Sequence, residues 1–287
     1  MRFAFIAEKA ELGVTRLCRT LGVSRAGFYA WRKRVPSAHQ VEDDRLRVQI
    51  HEAHRVGRGV YGRPRIHRAL RKGGVFVSGK RVTRLMLEEG LVGRTRRKYR
   101  CTTMSDHDQP VAPNILDQVF IAAEPNQRWV GDTTELMIPN GRLFLAVILD
   151  LFSRFVVGWA LSAINDRHLT LKALDMALRR RCPDAGLLLH SDQGAPYASE
   201  DYQAELARHR IVCSMSRRGN CYDNAVMESW NGTLKNELGE RYDGPQDAKV
   251  KLFDYIECFY NQQRLHSSIG YMSPAEFERA FILSIAA

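Results

Sequence analysis

A strong hairpin signal constrains the fold of this 287-residue chain more than any other feature. The tripeptide Pro139-Asn140-Gly141 separates an extended segment, 128–138, from a nearly continuous apolar segment, 143–151. Asn-Gly between two strand-like segments favours a tight antiparallel turn. A third segment rich in Val and Trp, 154–162, follows after Phe152-Ser153. We therefore predict three successive antiparallel strands.

Downstream of these strands the pattern alternates between helices and strands. Helices are predicted over 168–181, 199–208, 223–238 and 246–263, and short apolar strands over 187–190 and 211–214. Three antiparallel strands followed by this alternation predict an α/β domain, in which flanking helices cover a mixed five-stranded sheet. We assign residues 126–287 to this domain.

Residues 1–40 are predicted to form a helix-turn-helix. Apolar residues at helical spacing over 15–21 are followed by Gly22, which can end a helix, and by Ser24, which can cap the next. The second helix, 25–34, carries basic and aromatic side chains, as a DNA-recognition helix does. An ordinary helical hairpin is the alternative. The predicted DNA contacts in this region are Arg25, Arg32 and Lys33.

Residues 41–100 are predicted to form a second basic, helical DNA-binding domain. One basic helix, 63–71, ends at Gly73-Gly74, and a second helix, 80–89, is amphipathic. Its inward residues are predicted to be Val82, Leu85, Met86 and Leu87. Five of the seven residues in 94–100 are Arg or Lys, which is typical of a phosphate-contacting tract or of a solvated charge run. The predicted DNA contacts here are Arg63, Arg65, Arg96 and Arg97, and a proline-marked linker is expected over 101–125.

The charge of the chain is unevenly distributed. Residues 1–100 carry 25 Lys and Arg against 8 Asp and Glu, a balance of +17, whereas residues 101–287 have a balance of −6. This asymmetry indicates a basic, phosphate-binding part joined to an acidic body. The six cysteines include no C-x-x-C pair, which argues against a zinc finger. No apolar run is long enough to span a membrane and no signal peptide is recognisable, so a cytoplasmic, nucleoid-associated protein is expected.

Three acidic residues stand where a buried core would not favour them. Asp132 lies within the first strand, Asp192 at the end of the fourth, and Glu228 on the helix after the fifth. Strand ends in open α/β sheets are where ligand sites collect, and the first and fourth strands are plausible neighbours at the sheet centre. Clustered carboxylates repel one another unless cations lie between them. Mg²⁺ prefers oxygen ligands, and two such ions can promote phosphoryl transfer.

The spacing of these acids strengthens the prediction. Asp192 and Glu228 are separated by 35 residues, and Lys235 follows Glu228 by seven, about two helical turns. Lys235 should therefore share a helix face with Glu228 and contact DNA there. Asn224 and Asn231, one turn to either side of Glu228, are further phosphate-contact candidates, although helix-surface asparagines are common. D…D(35)E…K is the signature of the retroviral-integrase and transposase superfamily.

Several sequence blocks make the chain resemble a narrower family. The blocks are Trp129-Val-Gly-Asp132, Leu149-Asp-Leu-Phe-Ser-Arg154, Val157-Gly-Trp159, His190-Ser-Asp192-Gln-Gly194 with Tyr197, Asn224-Ala-Val-Met-Glu228-Ser with Lys235, Phe259-Tyr-Asn261-Gln-Gln-Arg264-Leu-His266-Ser, Tyr271-Met-Ser-Pro274, and in the N-terminal part Leu21–Trp31 and Tyr61-Gly-Arg-Pro-Arg65. They resemble OrfB-type transposases of the IS3 insertion-sequence family over nearly the whole chain.

The resemblance implies a ribonuclease H-like catalytic core. It also implies that Asp132, Asp192 and Glu228 hold two Mg²⁺ ions, for which Mn²⁺ can substitute, with Asp132 between the ions. The implied reaction is cleavage at the terminal inverted repeats, followed by transfer of the freed strand to target DNA. The implied partners are DNA, an upstream-frame protein or a frameshift fusion with it, and further copies of the chain, at least a dimer on DNA.

Two alternatives to an active transposase differ in their chemistry. An end-binding repressor with an inactive core would share the basic domains, but the intact acidic triad argues against it. A recombinase with a tyrosine nucleophile needs a His-x-x-Arg cluster, and no histidine in the chain has arginine three residues later. Among the other polar residues, Asp150 is expected to pair with Arg154, and His190 to make a supporting hydrogen bond. Arg264 and His266 fit core closure as well as DNA contact.

Overall fold

Five strands form one mixed sheet in the order β3-β2-β1-β4-β5. The strands are β1 (Arg128–Ile138), β2 (Gly141–Asp150), β3 (Val156–Ser162), β4 (Leu188–Ser191) and β5 (Val212–Met215). β1, β2 and β3 pair antiparallel, whereas β1–β4 and β4–β5 are parallel. The computed structural model describes residues 1–94 and 109–286. This sheet confirms the predicted mixed α/β core of the ribonuclease H-like class.

The hairpin between β1 and β2 has a two-residue loop, Pro139-Asn140. Ile138 pairs with Gly141, so β2 begins two residues earlier than its apolar pattern indicates. Gly141 has φ +148°, a value that suits glycine and is rare for residues with a side chain. The turn was therefore predicted correctly, but its loop lies one residue earlier than Asn-Gly.

Side chains alternate between the two faces of the sheet, and each face is covered by helices. Along β2, Ala146 and Ile148 face α7 (Arg167–Arg181), whereas Val147 and Leu149 share the opposite core with α10 (Ala225–Glu237). Alternation with a period of two is what a strand buried on both faces requires. The shorter helices α8 (Ala195–Ala198) and α9 (Glu200–Arg208) lie between β4 and β5 in the chain.

Three short helices at the N-terminus form a small core of their own. They are α1 (Arg2–Glu8), α2 (Val14–Thr20) and α3 (Arg25–Lys33), and Ile6, Cys18 and Phe28 are buried between them. Ser24 caps α3 by accepting a hydrogen bond from the Gly27 N–H at 3.0 Å. The predicted helix-turn-helix corresponds to α2 and α3, and α1 completes its core.

The second helical region contains α4 (Ala38–Val56), α5 (Arg63–Lys72) and α6 (Gly79–Glu88). Leu46, Ile66 and Leu85 from these helices belong to the same continuous core as one face of the sheet. The sequence interpretation missed α4, whose many charged residues obscure its apolar positions. Val82, Leu85 and Met86 point inward as predicted, but Leu87 is 73% exposed, so its inward assignment is wrong. One residue after Met86 is about 100° further around the helix, which turns Leu87 away from the core.

The described part of the expected linker, 109–125, packs against the core domain. The backbone N–H groups of Ile115 and Leu116 donate to the Ser214 hydroxyl of β5 at 2.9 and 3.1 Å. Leu116 is buried in the core. Residues 109–125 are therefore attached to the sheet domain. The boundaries between the domains remain predictions. The basic tract that contains Arg96 and Arg97 lies outside the described residues.

The C-terminal part differs from the single helix predicted over 246–263. α11 (Pro245–Phe253) continues as a π-helix, Asp254–Tyr260, and α12 (Pro274–Ile285) follows. Wider π turns commonly mark functional segments. Just after the π-helix, the Asn261 amide accepts from the Val156 N–H at 2.9 Å and donates to its carbonyl at 3.1 Å, which anchors this segment to β3. Within the described residues, no helix is both long and apolar enough to cross a membrane.

Candidate active site

Parallel pairing of β1 with β4 brings two of the predicted acids to the same level of the sheet. Val130 pairs with His190, and Asp132 and Asp192 each lie two residues further along their chains. Both acids therefore lie at the level where β4 ends, Asp132 within β1 and Asp192 directly after β4. The prediction that the first and fourth strands are neighbours is confirmed.

The Asp132 carboxylate is oriented by a hydrogen bond from α10. The Asn231 amide of α10 donates to its Oδ2 at 2.6 Å. Burial, followed by the negative charges of Asp192 and Glu228, raises the pKa of Asp132 well above its usual range. This direction of the pKa shift is the one expected for a buried carboxyl with other acids in its neighbourhood.

Asp192 lies in a short turn after β4. Its Oδ1 accepts from the Gly194 N–H at 3.0 Å, which orients the carboxylate. Beneath it, His190 is fully buried and contacts the hydroxyls of Ser214 and Ser216 at 2.9 and 3.1 Å. Burial lowers the pKa of His190 to about 4, so its ring is neutral near pH 7. His190 thus makes the supporting hydrogen bonds that the sequence interpretation favoured.

Glu228 is an exposed residue in the first turn of α10. The start of this helix is fixed by Asn224, whose amide donates to the Gly131 carbonyl of β1 at 3.2 Å. Just before it, the buried Asp223 forms an ion pair with Arg217 at 2.7 Å. These contacts tie the helix that carries Glu228 to the strand that carries Asp132.

The face of α10 that carries Glu228 also carries the other candidates. Asn224, Asn231 and Lys235 lie within about 60° of it around the helix axis. Both asparagines are nearly buried and hydrogen-bonded to β1, so their observed role is to hold the helix to the strand. Their contact with DNA, like that of Lys235, stays a prediction.

The donor chemistry of the three acids suits a divalent cation. All are carboxylates, the oxygen ligands that Mg²⁺ prefers, and two of them, Asp132 and Asp192, lie at one level of adjacent strands. In the described part of the chain, no group of three His, Cys, Asp or Glu side chains is already arranged to hold a metal ion. Metal ligation by the three acids is therefore an inference from their chemistry.

The arginine and lysine candidates are distributed over both helical regions. Arg25, Arg32 and Lys33 on α3 and Arg63 on α5 are exposed. Arg65 instead points towards the core domain, where its Nε donates to the Leu265 carbonyl at 3.0 Å. These placements leave DNA contact by each residue a prediction.

Some residues near the site had roles that the sequence did not indicate. Asp150 does not pair with the Arg154 side chain: it accepts from the N–H groups of Asn126 and Phe152, each at 2.8 Å. Arg154 donates to the Phe120 carbonyl instead, because the turn directs its side chain towards the segment before β1. Tyr197 is buried beside Thr133, with 3.2 Å between their hydroxyls. The only sequence feature that pointed to Tyr197 was its place in the block that begins at His190.

Arg264 and His266 belong to the protein interior, being 4% and 8% exposed. Arg264 forms an ion pair with Glu237 at the end of α10, with 2.6 Å between the closest atoms. Of the two interpretations left open for these residues, the structure favours core closure. Sequence reasoning missed Glu237, since an acid near a helix end gives no signal of a distant partner.

Family comparisons agree with this architecture. Two "Integrase core domain" family models match residues 122–221 and 209–274, and an "HTH-like domain" model matches residues 42–99. The chain is 43% identical over 267 residues to the "Insertion element IS600 uncharacterized 31 kDa protein" of Shigella sonnei, a match that covers 92% of this chain and 98% of the relative. It is 39% identical over 284 residues to "Transposase InsF for insertion sequence IS3A" of Escherichia coli (strain K12), covering 97% and 98%.

Among solved structures, the chain is similar to a simian T-cell lymphotropic virus intasome in complex with a PP2A regulatory subunit. That match has a TM-score of 0.47 and 17% identity, and covers 74% of this chain and 70% of that one. It is also similar to the HTLV-2 integrase catalytic core domain in complex with magnesium. That match has a TM-score of 0.43 and 20% identity, and covers 54% of this chain and 98% of that one. The high identity to the curated relatives over nearly the full length of both chains decides the family. The chain belongs to the IS3 family of insertion-sequence transposases, DNA-cleaving and strand-transferring enzymes with an integrase core.

Proposed function

We propose that this transposase works by two-metal chemistry at Asp132, Asp192 and Glu228. The observation that carries the proposal is the placement of Asp132 and Asp192 at one level of adjacent strands, with Glu228 close enough to raise the pKa of Asp132. Two Mg²⁺ ions, or Mn²⁺ in their place, would supply activation of the attacking oxygen and stabilisation of the leaving oxygen.

Each residue of the site has a separate task in this proposal. Asp132 supplies the central carboxylate, because it lies on the central strand of the sheet. Asp192 and Glu228 supply the flanking carboxylates, one from a turn and one from a helix. Asn231 orients Asp132 through its hydrogen bond, and Lys235 contacts the DNA backbone two helical turns beyond Glu228.

The exposed basic residues of the helical regions serve DNA recognition in the same proposal. Arg25, Arg32, Lys33 and Arg63, with Arg65, Arg96 and Arg97, would contact the terminal inverted repeats. Asn224 and Asn231 are retained as residues near the bound strand. Two element ends must be joined, so the active assembly is at least a dimer on DNA, formed with the upstream-frame protein or as a fusion with it. Nucleoid association would follow from DNA binding.

The test is Asp192→Asn in the full chain. An amide lacks the anionic oxygen that the cation needs, so cleavage and joining should be lost while binding of end DNA changes by only a few-fold. Asp184→Asn, at an exposed acid in the same domain, is the matched control and should behave like the unaltered protein.

A readout that does not depend on activity is the melting temperature in Mg²⁺. Ligand binding to the folded state raises the melting temperature, so Mg²⁺ should stabilise the unaltered chain and Asp184→Asn but not Asp192→Asn. Normal cleavage by folded Asp192→Asn would overturn the assignment of the site.

A further inference from the structure

A pocket lies on the side of α10 turned away from Glu228. Ser229 and Thr233 line it, at about 100° and about 140° around the helix from Glu228. Its cationic lining comes from three places in the chain: Arg65 of α5, Arg154 of the turn between β2 and β3, and Arg264 after the π-helix. The second helical region and the core domain therefore both contribute to this pocket.

The positive charges in the pocket exceed the acidic partners near them. Glu237 serves two arginines: it lies 2.6 Å from Arg264 and 3.8 Å from Arg65. Arg154 donates to the Phe120 carbonyl and forms no ion pair with any side chain in residues 1–94 or 109–286. Glu237 and, at longer range from Arg154, Asp150 face three guanidinium groups, which leaves a local excess of positive charge.

The neighbouring titratable groups show the same excess. Burial, followed by the charges of Arg264, Arg65 and Arg154, holds the pKa of His266 well below its usual range. Burial and then the charge of Arg264 lower the pKa of Arg65. Tyr260 remains protonated, because burial raises its pKa. An anion in the pocket would offset this repulsion.

We propose that this pocket binds a phosphate group. Guanidinium groups bind phosphate through paired hydrogen bonds, and the exposed Ser267 and Ser268 at its edge add hydroxyl groups. The cavity is about 350 Å³ and is walled on other sides by Trp230 and Tyr260, so it has room for a phosphodiester with part of its sugar.

The position of the pocket gives binding a consequence for the molecule. A phosphate held between Arg65 and Arg264 would neutralise charges from both regions at once, and residues of α10 line the pocket beside them. Occupancy would therefore strengthen packing of the second helical region against the helix that carries Glu228. This phosphate site is separate from the acidic triad on the opposite face of α10.

The experiment measures the melting temperature of the full chain against inorganic phosphate, without divalent metal, with chloride keeping ionic strength constant. Ser268→Asp places a carboxylate at the edge of the pocket, and Arg154→Gln removes one cation. Ser284→Asp, on the exposed end of α12, is the matched control for the added charge. The unaltered chain and Ser284→Asp should be stabilised saturably. Both pocket variants should need about tenfold more phosphate for the same rise in melting temperature. A tenfold loss of affinity corresponds to about 1.4 kcal/mol of binding free energy.

Equal stabilisation of all four proteins, or none in the unaltered chain, would overturn the proposal. A second arm identifies the source of the phosphate. If phosphate weakens binding of a DNA duplex by the unaltered chain but not by Ser268→Asp, the natural occupant is a DNA phosphodiester. If phosphate affects DNA binding equally in the unaltered chain and in Ser268→Asp, the pocket takes a free phosphate compound. Neither arm requires cleavage, so failure of the pocket and failure of the triad give different results.

Discussion

At the scale of single residues, the best-defined feature is the hydrogen bond from Asn231 to Asp132. Burial and two neighbouring acids favour the protonated form of Asp132, whereas a donated hydrogen bond favours the carboxylate. Asn231 therefore helps to keep Asp132 in the form that can bind a cation. A residue that orients a metal ligand in this way affects activity more than stability.

Asn231→Ala should reduce Mg²⁺-dependent cleavage by about tenfold to hundredfold, because Asp132 loses the group that orients it. The melting temperature should change by much less than in a core substitution. The rate is measured on end DNA as a function of Mg²⁺ concentration, where a raised metal requirement is expected. Asn236→Ala, on the same helix, is the control, and an equal loss in both variants would assign the effect to the helix alone.

Lys235→Ala should impair strand joining more than it impairs stability. If Lys235 contacts a phosphate near the cleavage site, its loss should lower the salt dependence of DNA binding by about one counterion. DNA binding is titrated at several salt concentrations, with Lys249→Ala, at an exposed residue of α11, as the control. Unchanged joining and an unchanged salt slope would remove Lys235 from the DNA interface.

At the scale of elements, buried charge pairs set how the helices meet. The side chains of Glu237 at the end of α10 and of Arg264 after the π-helix are each 5% exposed, and Tyr255 of the π-helix donates to the same carboxylate at 2.9 Å. Arg94 donates to the last carbonyls of α10, those of Asn236 and Glu237. The C-terminal end of α10 is thereby fixed by three other parts of the chain.

Glu237→Gln should destabilise the fold by about 3–5 kcal/mol, because it leaves the Arg264 guanidinium buried without its counter-charge. The free energy of unfolding is measured by urea titration. The exposed pair between Asp175 and Arg179 is the contrast, since Asp175→Asn should cost less than about 1 kcal/mol. Similar losses in the two variants would contradict the importance given to burial.

A pH-dependent contact joins α4 to α6. Asp43 accepts hydrogen bonds from Arg81 and Arg84 at 2.7 and 2.6 Å, and the Arg84 contact above all lowers its pKa from 3.8 to about 2. A lowered folded-state pKa contributes stability that is present above about pH 4 and is lost as pH falls towards 2.

Asp43→Asn should therefore be less stable than the unaltered chain near pH 6, and the difference should shrink as pH falls from about 4 to about 2. Urea unfolding at a series of pH values measures it. Asp44→Asn, beside it at a more exposed acid, serves as the control. A difference that stayed constant across this range would exclude Asp43 as the titrating group.

At the scale of the whole molecule, the two helical regions differ in how they depend on the sheet domain. The residues buried in α1–α3 pack among themselves, whereas α4–α6 share their core with the sheet. Tyr61 lies near Phe259, with 6.4 Å between ring centroids, and its hydroxyl accepts from the Leu265 N–H at 2.8 Å. The division by charge near residue 100 therefore does not coincide with a division of the hydrophobic core.

Removal of residues 1–36 should leave a chain that still unfolds cooperatively. It should bind end DNA more weakly and with a smaller salt dependence, because it loses the basic α3. A chain that starts at residue 109 should aggregate or melt at lower temperature, because the apolar surface that α4–α6 cover becomes exposed. Melting curves and DNA titrations of both truncations test this, and equal stability of the two would contradict it.

Local sequence patterns were sufficient to predict the sheet and the family, and they also proposed the acidic triad. Strand alternation, the turn at Pro139-Asn140 and the spacing from Asp192 to Glu228 are local properties of the chain, and each predicted its element directly. Helix periodicity failed in the charged α4, at Leu87 on the boundary of an apolar face, and over 246–263, where α11 gives way to a π-helix.

The tertiary structure alone decided which charges meet. Arg65, Arg264 and Glu237 are far apart in the chain, and nothing in their neighbours indicates that they share one buried cluster. A helix-surface arginine suits DNA or a carboxylate equally well, so its partner depends on which elements pack together. The positions of Asn231 at Asp132 and of the arginine pocket behind α10 follow from that packing, because contacts between distant segments are set by the fold rather than by local sequence preference.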